Sequence, residues 1–145
     1  MNLFGMLELS GSALGAERQR AEVVASNMAN AQTTRTPQGG PYRRQLVVFQ
    51  AQRTPRFSLA LAGGLQREHS SAVRVAAVVP DGRPPVMRFE PGHPDANAEG
   101  YVAYPQVDPI EEMTDLLGAV RAYELNASAV QATKNMITQS LDLLR

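Results

Sequence analysis

All ten prolines of this chain fall between Pro37 and Pro109, and residues 1–36 and 110–145 contain none. A proline inside a helix removes a hydrogen-bond donor and clashes with the preceding turn. Two proline-free ends around a proline-rich middle therefore predict two terminal helices with an irregular, β-containing insertion between them. The boundaries read as an N-terminal helix within 1–35, a β and loop insertion over 36–108, and a C-terminal helix over 109–145. The fold class expected is mainly α with a small β insertion. The two helices are expected to pair as an antiparallel-type coiled coil, forming one structural domain.

The C-terminal segment carries the clearest signals. "DPIEE" places Asp108 as N-cap and Pro109 as first helical residue, with Glu111 three positions on as in a capping box. Glu111 and Glu112 also suit the positive end of the helix dipole. With no later proline, the helix is expected to run to about Leu144, roughly 54 Å at 1.5 Å per residue. Its apolar residues recur every seven positions. Leu116, Tyr123, Val130, Ile137 and Leu144 make one seam, and Met113, Val120, Ala127 and Leu141 make another, which Lys134 interrupts. Such a pattern is that of a coiled coil.

The N-terminal segment repeats the pattern more weakly through Leu7, Leu14, Ala21 and Met28. Small residues (Gly11, Ser12, Ala13, Gly15, Ala16) crowd its first half, and a helical glycine costs about 1 kcal/mol relative to alanine. This helix is marginal alone, and the C-terminal helix is its natural partner. In "VVASNMANAQTTRTP" (23–37) the pattern fades, so Asn30 is expected to cap the helix and Asn27 to bond a nearby backbone group.

The middle reads as short strands and turns. "YRRQLVVFQ" (42–50), "VRVAAVV" (73–79) and "VMRFE" (86–90) are expected strands, and "PDGRPP" (80–85) is a turn. "YVAYPQV" (101–107) leads extended into the last helix, and residues 53–72 are expected to form a mobile loop.

Composition narrows the chemistry. With 14 basic and 14 acidic residues the net charge is zero, so nothing favours nucleic acid or anionic lipid as partner. There are no cysteines, which removes disulfides, thiolate catalysis and thiolate-bound metals. No apolar run reaches the roughly 18 residues of a membrane span, so direct membrane insertion is not expected. The start of the chain lacks the basic region and apolar core of a cleaved signal peptide. His69 and His93 each stand in a loop without a second ligand at metal spacing. Neither a G-x-S-x-G elbow nor a phosphate loop is present. Glu111 and Glu112 point about 100° apart around a helix and do not converge on a substrate, and Tyr123 on a seam reads as a packing ring. No catalytic set, cofactor or metal is expected.

The segments then show a likeness. "ASNMANAQT" (25–33), with Ser26, Asn27, Ala29 and Asn30, resembles the N-terminal motif of bacterial flagellar rod and hook proteins. "YRRQLVVFQ" resembles the segment that follows it in proximal-rod members. Residues 94–137 resemble the C-terminal half of those members, including Gly100-Tyr101-Val102, the proline before the helix, and Arg121 and Asn126 of an Arg-x-Tyr-x-x-Asn pattern. The likeness covers about 100 of the 145 positions. Gln106 and Leu125 depart from it, and residues 53–72 match nothing in it.

This resemblance to the bacterial flagellar basal-body rod family implies a structural subunit, not an enzyme. It implies export without cleavage through the flagellar type III apparatus. Its partners would be other rod subunits and copies of itself in a helical tube across the periplasm, lined by the paired terminal helices. The alternative function is a coiled-coil adaptor that binds a single soluble partner through the same helices.

Overall fold

The structure, a computed structural model, describes residues 3–54 and 70–143. Helix α1 spans Leu3–Ala29, strand β1 Gln45–Thr54, β2 Ser70–Pro80, β3 Val86–Phe89, β4 Tyr101–Tyr104, and helix α2 Pro109–Asp142. The two terminal helices and the small β region between them are those the proline distribution predicts. Of the mobile loop expected over 53–72, residues 53 and 54 belong instead to β1 and 70–72 to β2, and 55–69 lie outside the described residues.

Local chemistry explains the ends of the helices. Asp108 Oδ1 accepts the Ile110 N–H at 2.8 Å, and its carbonyl accepts the Glu112 N–H at 3.0 Å, so it caps α2 as expected. Pro109 follows as first helical residue, where its missing donor costs nothing. Helix α1 ends at Asn30, whose N–H and Nδ2 both donate to the Ser26 carbonyl, at 3.1 and 2.9 Å. The Thr33 hydroxyl then donates to Asn30 Oδ1 at 3.2 Å. Past the last full turn, the N–H groups of Asn30, Ala31 and Thr33 donate to the carbonyls of Asn27, Met28 and Asn30 at 3.2, 3.2 and 3.0 Å, and the side-chain bonds add to this backbone closure.

The strands form two two-stranded sheets, β1 with β2 and β3 with β4. The β3–β4 pair is antiparallel, with Val86 opposite Tyr104 and Phe89 opposite Tyr101. Phe89 meets Tyr101 edge to face at 5.3 Å, and Arg88 lies over the Tyr104 ring at 4.7 Å. In the preceding turn, Asp81 Oδ1 accepts the Arg83 N–H at 3.0 Å and Oδ2 accepts Arg83 Nε at 2.7 Å. Those bonds hold the Asp81 carboxyl below its usual range.

By compactness the chain resolves into two units. One comprises Met1–Gln19, Phe49–Ala76 and Ala119–Arg145, the other Arg20–Val48 and Ala77–Gly118. In the first, Ala16, Ala119 and Thr133 are buried, and the Val73 N–H donates to Ser12 Oγ at 3.0 Å. In the second, Val24, Val102, Asn27 and Glu112 are buried. Two of those four are polar, and Glu112 and Asn27 are among the largest fully buried side chains described. A polar group so placed needs every bond matched, and that requirement defines the site.

Candidate functional site

Asn27 meets the requirement in full. Its Nδ2 donates to the Gln45 carbonyl at 2.9 Å and to Glu112 Oε2 at 3.0 Å. Its Oδ1 accepts the Gln45 N–H at 2.8 Å and the Tyr42 hydroxyl at 2.9 Å. Two donors and two acceptors exhaust what a carboxamide offers. Asn27 therefore staples the end of α1, the start of β1 and the first turn of α2 together. The sequence predicts a bond to a neighbouring backbone group; the backbone it bonds is that of Gln45, 18 residues on, and the link to Glu112 is additional.

Glu112 has a second partner. Arg44 Nε donates to Glu112 Oε1, while its Nη1 stands 3.7 Å from Glu111 and its Nη2 3.9 Å from Asp115. Asp115 also pairs with Arg20 Nη2 at 3.1 Å. The sequence accounts for Glu111 and Glu112 by capping and dipole complementarity; the structure gives both a partner in Arg44. Glu112 is a buried acceptor for two segments, and Glu111 leans toward Arg44. The contacts also fix direction: Asn27 meets Glu112 and Arg20 meets Asp115, so the order of residues reverses between the helices. The pairing is antiparallel at this point, and its contacts are polar.

The heptad residues divide by exposure. Leu7, Leu14, Ala21 and Met28 on α1 are half-buried, as are Leu116, Val130 and Ile137 on α2. Met113, Val120, Tyr123 and Leu141 are exposed, at 54%, 43%, 44% and 60%. Leu144 lies outside the described residues. The side chains α2 buries are Glu112, Ala119 and Thr133, with Asn126 half-buried between. These also recur every seven residues, one position before the Met113 seam. Small size admits close approach there, and the polar members satisfy themselves. Asn126 Nδ2 donates to the Ala122 carbonyl, and Thr133 Oγ1 to that of Ala129, each at 2.8 Å.

The other motif residues fall in distinct places. Ser26 and Ala29 are exposed on α1, and Arg121 on α2. Gly100 takes φ 82° at the foot of β4, Tyr101 is 40% exposed, and Val102 is fully buried. Gly100 is needed there, since a Cβ would come within 2.9 Å of the Phe89 ring. His93 Nδ1 accepts the Asp95 N–H at 3.1 Å in its loop, and His69 lies outside the described residues. Among the described residues no cluster of His, Asp and Glu is placed to hold a metal ion. No described helix is long and apolar enough to cross a membrane.

Comparison with known proteins places this arrangement in a class. A family described as flagella basal body rod protein matches residues 7–35, and one described as flagellar basal body rod FlgEFG protein C-terminal matches residues 98–143. One match covers most of α1 and its corner, the other β4 and α2. Over the whole chain, the flagellar basal-body rod protein FlgC of Bacillus subtilis is 40% identical, across 99% of each sequence. The FlgC of Borreliella burgdorferi is 36% identical across all of this chain and 99% of its own. That of Escherichia coli O6:H1 is 39% identical across 99% of this chain and 98% of its own. The chain belongs to the flagellar basal-body rod proteins, a family of structural subunits rather than enzymes, and within it to the FlgC group.

Proposed function

We propose that this chain assembles helically through its terminal helices, with other rod subunits and with copies of itself, into the periplasm-spanning tube of the flagellar rod. It reaches that place through the flagellar type III export apparatus with its N-terminus uncleaved. Family membership over the full length supports a structural role in the basal body. The observation that carries the assembly reading is the apolar stripe on α2. Ile110, Met113, Leu117 and Val120 are 77%, 54%, 53% and 43% exposed and follow one another at alternating intervals of three and four. That spacing aligns them along one face of the helix, and a helix leaves such a face uncovered when a partner is to cover it. Ile110 and Leu117, themselves seven apart, lie on neither seam and emerge from their exposure.

On this reading Asn27 and Asn30 set the corner where the chain leaves the inner helix for the outer β region. The heptad residues of both helices carry the contacts between neighbours. The test is to supply a strain lacking its own copy with the Met113→Asp chain. The variant is expected to be made at normal level and to leave the cells without rods and non-motile; swimming cells would sink the assembly role of this stripe.

A further inference from the structure

Arg44 is buried to 13% side-chain exposure at the start of β1, and the carboxylates that pair with it come from the first two turns of α2. A guanidinium is costly to bury without an anion beside it. Asn27 shows the same dependence in milder form. Three of its four bonds go to Tyr42 and Gln45, and the fourth goes to Glu112. Glu112, with its side chain 1% exposed, is in turn satisfied by Asn27 and Arg44. Each side of this cluster is thus sealed from water only against the other. A half-made buried polar network is worse than none, because its desolvated groups lack partners.

We infer that Glu112 makes closure of the corner over residues 30–45 conditional on the docking of α2, so that helix pairing and corner formation are one event. Glu112 acts as a positioning residue: it does not touch the Gln45 N–H, but it holds the Asn27 side chain that does. The use of such coupling rests on the proposed rod assembly. On that reading the corner presents a finished surface only once α2 has docked.

The experiment is amide hydrogen exchange on the purified full chain and its Glu112→Ala variant. Two amides report the corner: Gln45, bonded to Asn27 Oδ1, and Tyr42, bonded to the Thr33 carbonyl. Two report the β3–β4 hairpin of the same unit: Glu90, bonded to the Gly100 carbonyl, and Gly100, bonded to that of Asn97. The variant is expected to accelerate the corner pair about tenfold more than the hairpin pair, the size set by one lost buried hydrogen bond. Equal acceleration of both pairs, or none, overturns the inference, because a merely structural contact loosens the unit throughout. Where Glu112→Ala leaves too little folded chain, Glu112→Gln replaces it, keeping the shape while removing the charge beside Arg44. The same selective pattern is then expected at reduced size, and uniform loosening again overturns it. The readout needs no flagellum, so its failure leaves the rod reading standing, and loss of that reading is seen separately in the Met113→Asp strain.

Discussion

Asn27 Nδ2 donates to Glu112 Oε2 across 3.0 Å, joining residues 85 apart in the chain, and both side chains are sealed from water. Removing the amide leaves the Gln45 N–H and carbonyl, the Tyr42 hydroxyl and the Glu112 carboxylate each short of a partner. Asn27→Ala is expected to destabilise the chain by about 3 kcal/mol, the scale of a buried polar network broken on one side. Asn27→Asp is expected to cost at least as much at neutral pH, since it sets a second carboxylate against Glu112. Urea denaturation followed by circular dichroism checks both. A midpoint within error of the parent chain would mean that Asn27 does not hold the three segments together.

The two apolar classes on α2 give a second expectation. Met113 and Val120 face solvent, so Met113→Asp or Val120→Asp is expected to change monomer stability by no more than about 0.5 kcal/mol. Leu116 and Ile137 are half-buried, so Leu116→Asp or Ile137→Asp is expected to lower stability as well as assembly. Thermal melts of the four variants separate the pairs, and complementation of motility reads assembly in each. Equal melting losses in all four would mean that the exposed stripe packs within the chain.

These classes also show how far the sequence could be read. Both terminal helices, the Asp108 cap and the strands of the middle are local: each follows from prolines, caps or alternation within a few residues. The seven-residue repeat of α2 is legible too, but its buried phase is not. Counting apolar residues selects Met113 and Val120, whereas the structure buries Glu112, Ala119 and Thr133 one position earlier. Size and hydrogen bonding decide that phase, and neither shows in an apolar count. The Arg44–Glu112 pair is hidden for another reason. Its members stand 68 residues apart, and Glu112 has a sufficient local explanation at the start of its helix. Only the fold brings them together.

Ionisation at the two ends of the pH scale gives a third expectation. The bonds from Arg83 hold the Asp81 carboxyl below the ordinary aspartate value of 3.8. A depressed carboxyl stabilises the fold above its unfolded pKa, and that contribution fades as pH falls through the folded value. The 80–85 turn is thus expected to loosen only below about pH 3.8, first at the Arg83 amide. Tyr104 is shifted the other way, above 10.0, chiefly because its hydroxyl donates to Glu90 at 2.9 Å. Its contribution is complete below pH 10.0 and is lost as pH rises through the folded value. Ultraviolet difference titration of the parent chain against Tyr104→Phe checks this: the phenol signal lost with Tyr104 should be one that titrates above 10.0. A Tyr104 that ionises at or below that value would refute the bond to Glu90 in solution.

Gly100 gives the last expectation, and two separate effects add in it. Its φ of 82° lies in the left-handed region, where a side chain costs about 1 kcal/mol. An added Cβ would also stand 2.9 Å from Phe89 Cε2 and 3.3 Å from Pro91 Cβ. The Phe89 ring, 64% exposed, has room to swing outward, but doing so breaks its edge-to-face contact with Tyr101. Gly100→Ala is therefore expected to cost about 2 kcal/mol, strain and lost ring contact together. Gly92 in the same loop has open space where its Cβ would lie and no left-handed φ, so Gly92→Ala is expected to be neutral within about 0.5 kcal/mol. The two variants share the added methyl and differ only in place. Equal unfolding midpoints for both would refute the backbone strain and the ring clash alike. A loss confined to Gly100→Ala, recovered in part by Phe89→Leu, would locate the strain at the ring.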